Sequence, residues 1–280
     1  MTAAPTLGDV LRRAAEHLGK TSETARLDAE LLLAHSLGRQ RIELYTDFDR
    51  PLTEAELDGY RSLVARRAKR EPVAYILGEW GFRRLTLTVD QRALIPRPET
   101  EVLVEHALAR LRGLEAPRVL DVGAGTGAIA LAIADEHPGA RVTAIDVSAD
   151  ALALARENVA RTGLEVVLLE HDLRAGLPAG PWDLVVSNPP YVEQEELSTL
   201  MPDVRDFEPH LALIGRGATE DVARAAATEL APGAWLVLEV GDGQADATAA
   251  LLDGLGYVEI STAPDLTGRA RVVEGRRVGG

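Results

Sequence analysis

From residue 118 onward short apolar runs alternate with helical stretches, and this rhythm limits the fold more tightly than any other feature of the chain. The order is "RVLDVG", "GAIALAIADEH", "RVTAIDV", "ADALALARENVART", "EVVLLEHD" and "WDLVVSNPPY", followed later by "EDVARAAATELA" and "AWLVLEVG". Strand then helix, repeated, is the signature of a mostly parallel sheet with helices on both faces.

The N-terminal part has a different rhythm. "TLGDVLRRAAEHLG" places Leu7, Val10, Leu11 and Leu18 at roughly helical spacing, with Gly19 as a stop. "SETARLDAELLLAHSLG" offers Ser22 as a cap and Gly38 as an end. "LTEAELDGYRSLVARRAKR" has Thr53 with Glu56 three residues on, the pattern of a capping box. "RLTLTV" alternates and reads as half of a hairpin. The expected organisation is a small all-α domain over 1–75, a β-hairpin connector over 76–95, and an α/β domain over 96–280.

Composition removes several function classes. With no cysteine among 280 residues, thiol catalysis, disulfides and cysteine metal sites are excluded. The six His residues form no recognisable metal motif, so no metal is expected. No apolar run is long enough to span a membrane, and the first twenty residues lack a signal-peptide layout, so a cytoplasmic location is expected. Residues 1–75 hold 12 basic and 12 acidic groups, so the net charge of −14 lies wholly in 76–280. Such a surface repels phosphate backbones and argues against a nucleic-acid substrate.

"VLDVGAGTGAIALAIA" reads as strand, glycine loop and helix. Gly123, Gly125 and Gly127, with Ala124 and Thr126 between them, let backbone approach a ligand closely. The bland alternative is a tight turn with no ligand. The spacing is not the G-x-G-x-x-G of dinucleotide sites, and Asp121 sits just before the loop. A carboxylate there suits a cationic ligand better than a pyrophosphate, and S-adenosylmethionine carries a sulfonium and an ammonium. Asp146 ends the next strand, where it can accept from ribose hydroxyls. Asp172 follows the third, where an adenine edge would lie. All three acids fall at the carboxyl edge, where open α/β sheets bind ligands.

"LVVSNPPYV" brings Asn188, Pro189, Pro190 and Tyr191 to that edge after a fourth strand. Asn offers one carbonyl acceptor and one NH2 donor. The prolines fix φ and lack N–H, so the carbonyls around them are rigidly aimed. Tyr191 supplies an aromatic wall. Together they suit a planar amine or amide nitrogen. Such a clamp holds a poor nucleophile against a methyl carbon, an effect worth about 7–11 kcal/mol in well-oriented cases. The competing reading is a rigid turn with Tyr191 in the core.

These motifs resemble the class I, Rossmann-like, S-adenosylmethionine-dependent methyltransferases that modify nitrogen. "LIPRPETE", "LDAELLLAHSLG", "EPVAYILGEWGF" and "DLTGRARVV" narrow the likeness to the release factor glutamine methyltransferase (PrmC/HemK) family, from the first helices to about residue 273. The resemblance implies methylation of the side-chain amide N5 of the glutamine in the Gly-Gly-Gln motif of bacterial peptide-chain release factors, with S-adenosylhomocysteine as the second product. It implies that Gly123, Ala124, Gly125, Thr126, Gly127 and Asp146 hold cofactor, with Asp172 and Leu173 near adenine. Asn188 would touch both cofactor and substrate. Pro189, Pro190 and Tyr191 would grip the glutamine, with Asn188, Pro189 and Tyr191 catalytic. The helical domain would help bind the release factor, and a monomer is expected. Some members carry tryptophan where this chain has Leu173, and there only apolar contact with adenine is left.

Three rival readings stand beside this one: a DNA adenine methyltransferase, disfavoured by the acidic C-terminal part; a non-catalytic binding module; and a sister enzyme acting on a ribosomal protein. Two motifs stay open. "RPETE" either turns the chain into a helix or uses Arg97 to steady the cofactor loop. The five cations of "RSLVARRAKR" are either a solvated helix face or a docking surface. Glu239 reads as structural.

Overall fold

The computed structural model describes residues 4–279. The chain ends outside that range belong to the 1–75 and 96–280 segments and lie outside the described residues. Two compact units emerge. One comprises the residues up to Glu79 together with Met201–Phe207, and the other comprises Trp80–Leu200 and Glu208 onward.

The first unit is built from α1 (Leu7–Leu18), α2 (Ala25–Ser36), α3 (Glu54–Ala68) and α4 (Val73–Leu77). Thr6 caps α1 by accepting from the Asp9 N–H. Thr53 and Glu56 form the expected capping box on α3. Ser22 does not cap α2. That helix begins at Ala25, and the Ser22 hydroxyl instead donates to Asp28 at 2.7 Å. Leu7, Leu11, Leu18, Leu32, Leu33, Leu44 and Tyr60 form the core of this unit.

The second unit opens with two short strands, β1 (Glu79–Phe82) and β2 (Leu85–Thr88), paired in a two-stranded sheet. Then come α5 (Pro98–Arg110), β3 (Arg118–Val122), α6 (Ala128–Glu136), β4 (Arg141–Asp146), α7 (Ala149–Thr162), β5 (Val166–Glu170) and β6 (Trp182–Ser187). After β6 the chain leaves this unit, supplies α8 (Pro202–Phe207) to the helical unit, and returns at Glu208. The 96–280 segment of the sequence is therefore not one uninterrupted body. The remaining elements are α9 (Ala218–Glu229), β7 (Leu230–Glu239), α10 (Ala245–Gly254), β8 (Tyr257–Pro264) and β9 (Ala270–Arg277).

The large sheet has the order β5-β4-β3-β6-β7-β9-β8. The first five strands pair in parallel, and only β9 runs antiparallel to its neighbours β7 and β8. Because side chains alternate along a strand, its two faces feed separate cores. Val119, Leu184, Val186 and Val237 join the core that includes α5 and α6 residues. Leu120, Val185, Leu236 and Leu238 join the core that includes α9 and α10 residues. Both faces of the central strands β3, β6 and β7 are largely buried, whereas the edge strand β5 leaves Val167 and Leu169 exposed. The strand order reverses at β3, so the carboxyl ends of β3, β4 and β6 flank the crevice where such sheets take ligands.

Candidate active site

The glycine loop crosses the carboxyl end of β3. Gly123, Gly125 and Gly127 have φ of +86°, +54° and +82°. At Gly127 a side chain is disfavoured by the left-handed backbone and crowded by Leu131 Cδ1, which a Cβ would meet at 3.3 Å. The loop is pinned from the neighbouring strand: the N–H groups of Gly123 and Ala124 both donate to the Ile145 carbonyl at 2.9 Å. Asp146 completes the clasp. Its Oδ2 accepts from Gly125 N–H and its Oδ1 from Ser148 N–H, each at 2.9 Å. A carboxylate has about four lone-pair sites, so acceptor capacity is left over. Thr126 is buried, and its carbonyl accepts from Asn158 Nδ2 at 2.9 Å. Asn158 also bonds both backbone groups of Thr88, tying β2 to the loop.

Asn188 follows β6, next to β3. Ser187 fastens the two strand ends together by donating to the Val122 carbonyl at 2.7 Å. The Asn188 carbonyl is 4.0 Å from where a Gly123 Cβ would stand, so the Asn-Pro-Pro-Tyr segment and the glycine loop meet. The segment is held from outside as well. Gln244 Nε2 donates to the Tyr191 carbonyl at 3.0 Å, and Val192 N–H donates to the Leu213 carbonyl at 2.9 Å. Gly215 packs so closely that a Cβ would sit 2.6 Å from the Pro190 carbonyl, which no side chain tolerates. Tyr191 is half-buried rather than a core residue, and burial raises its hydroxyl pKa.

Sequence reasoning missed what lies behind Asn188. Its Nδ2 donates to Thr100 Oγ1 at 3.1 Å. Thr100 is buried in the first turn of α5, and Glu239 is buried at the end of β7. Glu239 is 1% exposed, and its Oε2 has no partner among the described residues. Burial pushes its carboxyl up to about 7, against a smaller lowering influence of the Thr100 hydroxyl. Thr100 lies inside the quoted "RPETE", but nothing in one sequence pairs it with residue 188.

The same motif answers its own question. Pro98 starts α5, with Glu99 and Glu101 in the first turn, so the helix-entry reading is right. Arg97 does not reach the glycine loop in any described contact. It pairs with Glu208, which is buried and also accepts from Ile95 N–H at 3.2 Å. Asp121 is wholly buried. Its Oδ2 accepts from Ala130 N–H at 3.1 Å, its Oδ1 has no partner among the described residues, and burial raises its pKa to about 8. Asp172 lies beyond β5, two strands out from β3. Its carboxylate accepts from the Arg174 N–H at 3.0 Å and pairs with the Arg174 side chain, which lowers its pKa. Leu173 packs against the core beneath α9 and α10. Thus Gly123–Gly127, Asp146 and Asn188–Tyr191 converge, while Asp172 and Leu173 have partners of their own. Among the described residues no group of three or more His, Asp or Glu could hold a metal ion.

The chain is similar to known methyltransferases. The PrmC N-terminal domain family matches residues 9–78, and the methyltransferase small domain family matches residues 98–204. The crystal structure of a methyltransferase from Pyrococcus furiosus is 18% identical, with a TM-score of 0.51 over 69% of this chain and 88% of that one, a likeness of fold. A release factor glutamine methyltransferase from Deinococcus radiodurans is 44% identical over 98% of this chain and 99% of its own. One from Geobacter sulfurreducens is 45% identical over 92% of this chain and 91% of its own. Likeness at that level along both units, including the helical one, makes this chain a member of the release factor glutamine methyltransferase family.

Proposed function

We propose that the chain methylates the side-chain amide nitrogen of the glutamine in the Gly-Gly-Gln motif of bacterial peptide-chain release factors. The observation that carries this reading is the state of Asn188. Its side-chain NH2 group donates to Thr100, which leaves its side-chain oxygen to accept a hydrogen bond, while its backbone carbonyl stands beside the glycine loop. A glutamine amide has two N–H donors and meets that need. Its proton-bearing nitrogen would be held by Asn188 Oδ1 and the rigid Pro189–Pro190 backbone, with Tyr191 against the amide plane. Holding the two N–H bonds localises the nitrogen lone pair and aims it at the methyl carbon.

The glycine loop and Asp146 fit S-adenosylmethionine. Gly123 is exposed at the carboxyl edge, and Asp146 keeps lone pairs for ribose hydroxyls after serving the loop. When bound, that molecule supplies a sulfonium methyl: the N–C bond forms as the S–C bond breaks, the electron pair stays on sulfur, and one amide proton leaves to solvent. Asp172 and Leu173 would border adenine, Asp172 through backbone or a re-paired carboxylate and Leu173 through its side chain. The helical unit would bind the release factor, and the chain would act as a cytoplasmic monomer. The acidic second unit disfavours nucleic acid as substrate.

The test is peptide mass spectrometry of an unmodified release factor incubated with the protein and S-adenosylmethionine. One added methyl on the glutamine of the Gly-Gly-Gln peptide is expected. An unmodified peptide, with cofactor binding shown separately, would overturn the substrate assignment.

A further inference from the structure

We propose that Gln244 sets where the Tyr191 ring stands and thereby acts as a positioning residue for methyl transfer. The inference rests on the reading of Tyr191 given above, in which the ring lies against the amide plane of the incoming glutamine. A wall of that kind works only if it is held still, because a misplacement of about 1 Å can cost roughly a hundredfold in rate. Pro189 and Pro190 stiffen the chain before Tyr191. They do not fix the chain at Tyr191 itself.

Gln244 supplies that tie. It ends the turn between β7 and α10, where its own N–H donates to the Gly241 carbonyl at 3.1 Å. Its side-chain Oε1 accepts from Gly241 N–H at 3.0 Å, and its Nε2 donates to the Tyr191 carbonyl at 3.0 Å. A backbone N–H can only donate and a backbone carbonyl can only accept, so both ends of this amide are assigned, and a flip would lose both bonds. The first bond is local, and the turn alone explains it. The second reaches back 53 residues, and the turn does not need it.

The packing agrees. A Cβ on Gly241 would stand 2.8 Å from Gln244 Oε1 and 3.0 Å from Tyr191 Cδ2, so the turn, the amide and the ring meet in one tight contact. On the other side a Cβ on Gly215 would stand 3.0 Å from Tyr191 Cα, and Gly215 N–H donates to the Val192 carbonyl at 3.0 Å. Tyr191 is thus held between two later segments of the chain. Removing the Gln244 bond releases it on the side next to the ring. Gln244 needs no contact with substrate to do this.

The experiment measures single-turnover methyl transfer to an unmodified release factor, and S-adenosylmethionine affinity, each well below the melting temperature. It compares the full chain with Gln244→Glu, Gln244→Met, Tyr191→Ala and the double variant Gln244→Met with Tyr191→Ala. Gln244→Glu keeps the shape and the acceptor for Gly241 N–H, but its carboxylate has no proton for the Tyr191 carbonyl. It should slow methyl transfer roughly tenfold to a hundredfold, as should Gln244→Met, with cofactor affinity little changed. In the Tyr191→Ala background Gln244→Met should cost almost nothing more, because the ring it positions is gone. A Gln244→Glu rate equal to wild type would reduce Gln244 to a cap of its own turn. Additive losses in the double variant would show that it does not act through the ring. A loss of cofactor affinity as large as the loss of rate would place it with the cofactor. Each of these overturns the proposal. Should Gln244→Met fail to fold, Gln244→Glu combined with Tyr191→Ala makes the same comparison. If Tyr191→Ala alone matches the wild-type rate, the role read for the ring falls and takes Gln244 with it. If the wild type methylates the glutamine and Tyr191→Ala is slow while Gln244→Glu is not, only the positioning role falls. If the wild type transfers no methyl to the glutamine, the underlying reading falls and takes this one with it.

Discussion

Buried charge is handled in opposite ways in the helical unit and at the carboxyl edge of the sheet. In the helical unit Arg67 of α3 is almost fully buried, and its guanidinium is met on every side. Its Nε donates to Asp28 of α2 at 2.7 Å, one terminal nitrogen to Asp203 of α8 at 2.7 Å and to the Glu71 carbonyl, and the other to Ser22. Arg70 adds a second contact to Asp203 at 3.4 Å. At the sheet edge Asp121 and Glu239 each keep a buried oxygen with no partner among the described residues. A compensated ion network holds elements in register. An uncompensated carboxylate raises its own pKa and is tolerated where chemistry needs a polar group in a dry place. Two of the five cations of "RSLVARRAKR", Arg67 and Arg70, bind Asp203 of α8 within the helical unit, while Arg61 and Lys69 are exposed.

The largest expected effect tests the compensated side. Arg67→Ala leaves Asp28 and Asp203 buried without their main partner, which should destabilise the helical unit by about 3–5 kcal/mol. Hydrogen exchange should show lost protection in α2 and α3 while β3, β4 and β6 keep theirs. Uniform loss across both units, or no loss, would erase the contrast drawn here. On the catalytic side Asn188→Ala should cut methyl transfer by roughly a hundredfold to a thousandfold, about 3–4 kcal/mol of barrier, with a much smaller change in S-adenosylmethionine affinity. Equal losses in rate and affinity would show that Asn188 chiefly holds cofactor.

A subtler effect concerns pH. Burial raises the Asp121 carboxyl to about 8 from an ordinary value near 3.8. Between those values the folded protein holds a proton that the unfolded chain has released. Stability therefore falls as pH rises through that window. Glu239, raised to about 7, acts in the same direction over a narrower range. Asp121→Asn keeps an acceptor for Ala130 N–H and has no charge to desolvate. Its melting temperature should decline less than that of wild type between pH 5 and pH 8. Parallel declines would mean that Asp121 is not the titrating group.

The legible parts of this molecule were those written in local pattern. Alternating strands and helices gave the parallel sheet, and the capping box at Thr53 gave the start of α3. Asn188 was legible because two prolines after an apolar run are rare and have one mechanical meaning. Long-range pairings were not legible. Thr100 and Asn188 are 88 residues apart along the chain, and each alone has an ordinary local explanation. Glu239 in particular reads as a strand end until its neighbours are seen. The passage of α8 into the helical unit was hidden for the same reason, since the partner of Asp203 is 136 residues away. Ser22 misled because Ser, Asp and Thr near a helix start compete for the same role, and Asp28 captured its hydroxyl.

The smallest effect sharpens the comparison from the helical side. Thr53 and Glu56 exchange bonds at the start of α3: Glu56 Oε2 accepts from Thr53 N–H at 2.8 Å, and Thr53 Oγ1 accepts from Glu56 N–H at 3.3 Å. Here the carboxylate is stabilised by its partners, and the Thr53 N–H chiefly holds the Glu56 pKa below its ordinary value. The linkage therefore runs opposite to that of Asp121. The stabilisation is present above the unfolded pKa and is lost as pH falls through the folded one. Thr53→Ala should cost about 1 kcal/mol at neutral pH, with Thr53→Ser close to wild type. The difference between Thr53→Ala and wild type should shrink in acid, as Glu56 takes up its proton. Over the same acid range Asp121 and Glu239 contribute most, because their protonated forms suit burial. One chain thus carries carboxylates whose pH slopes have opposite signs, and the sign follows from whether the fold supplies partners or only burial.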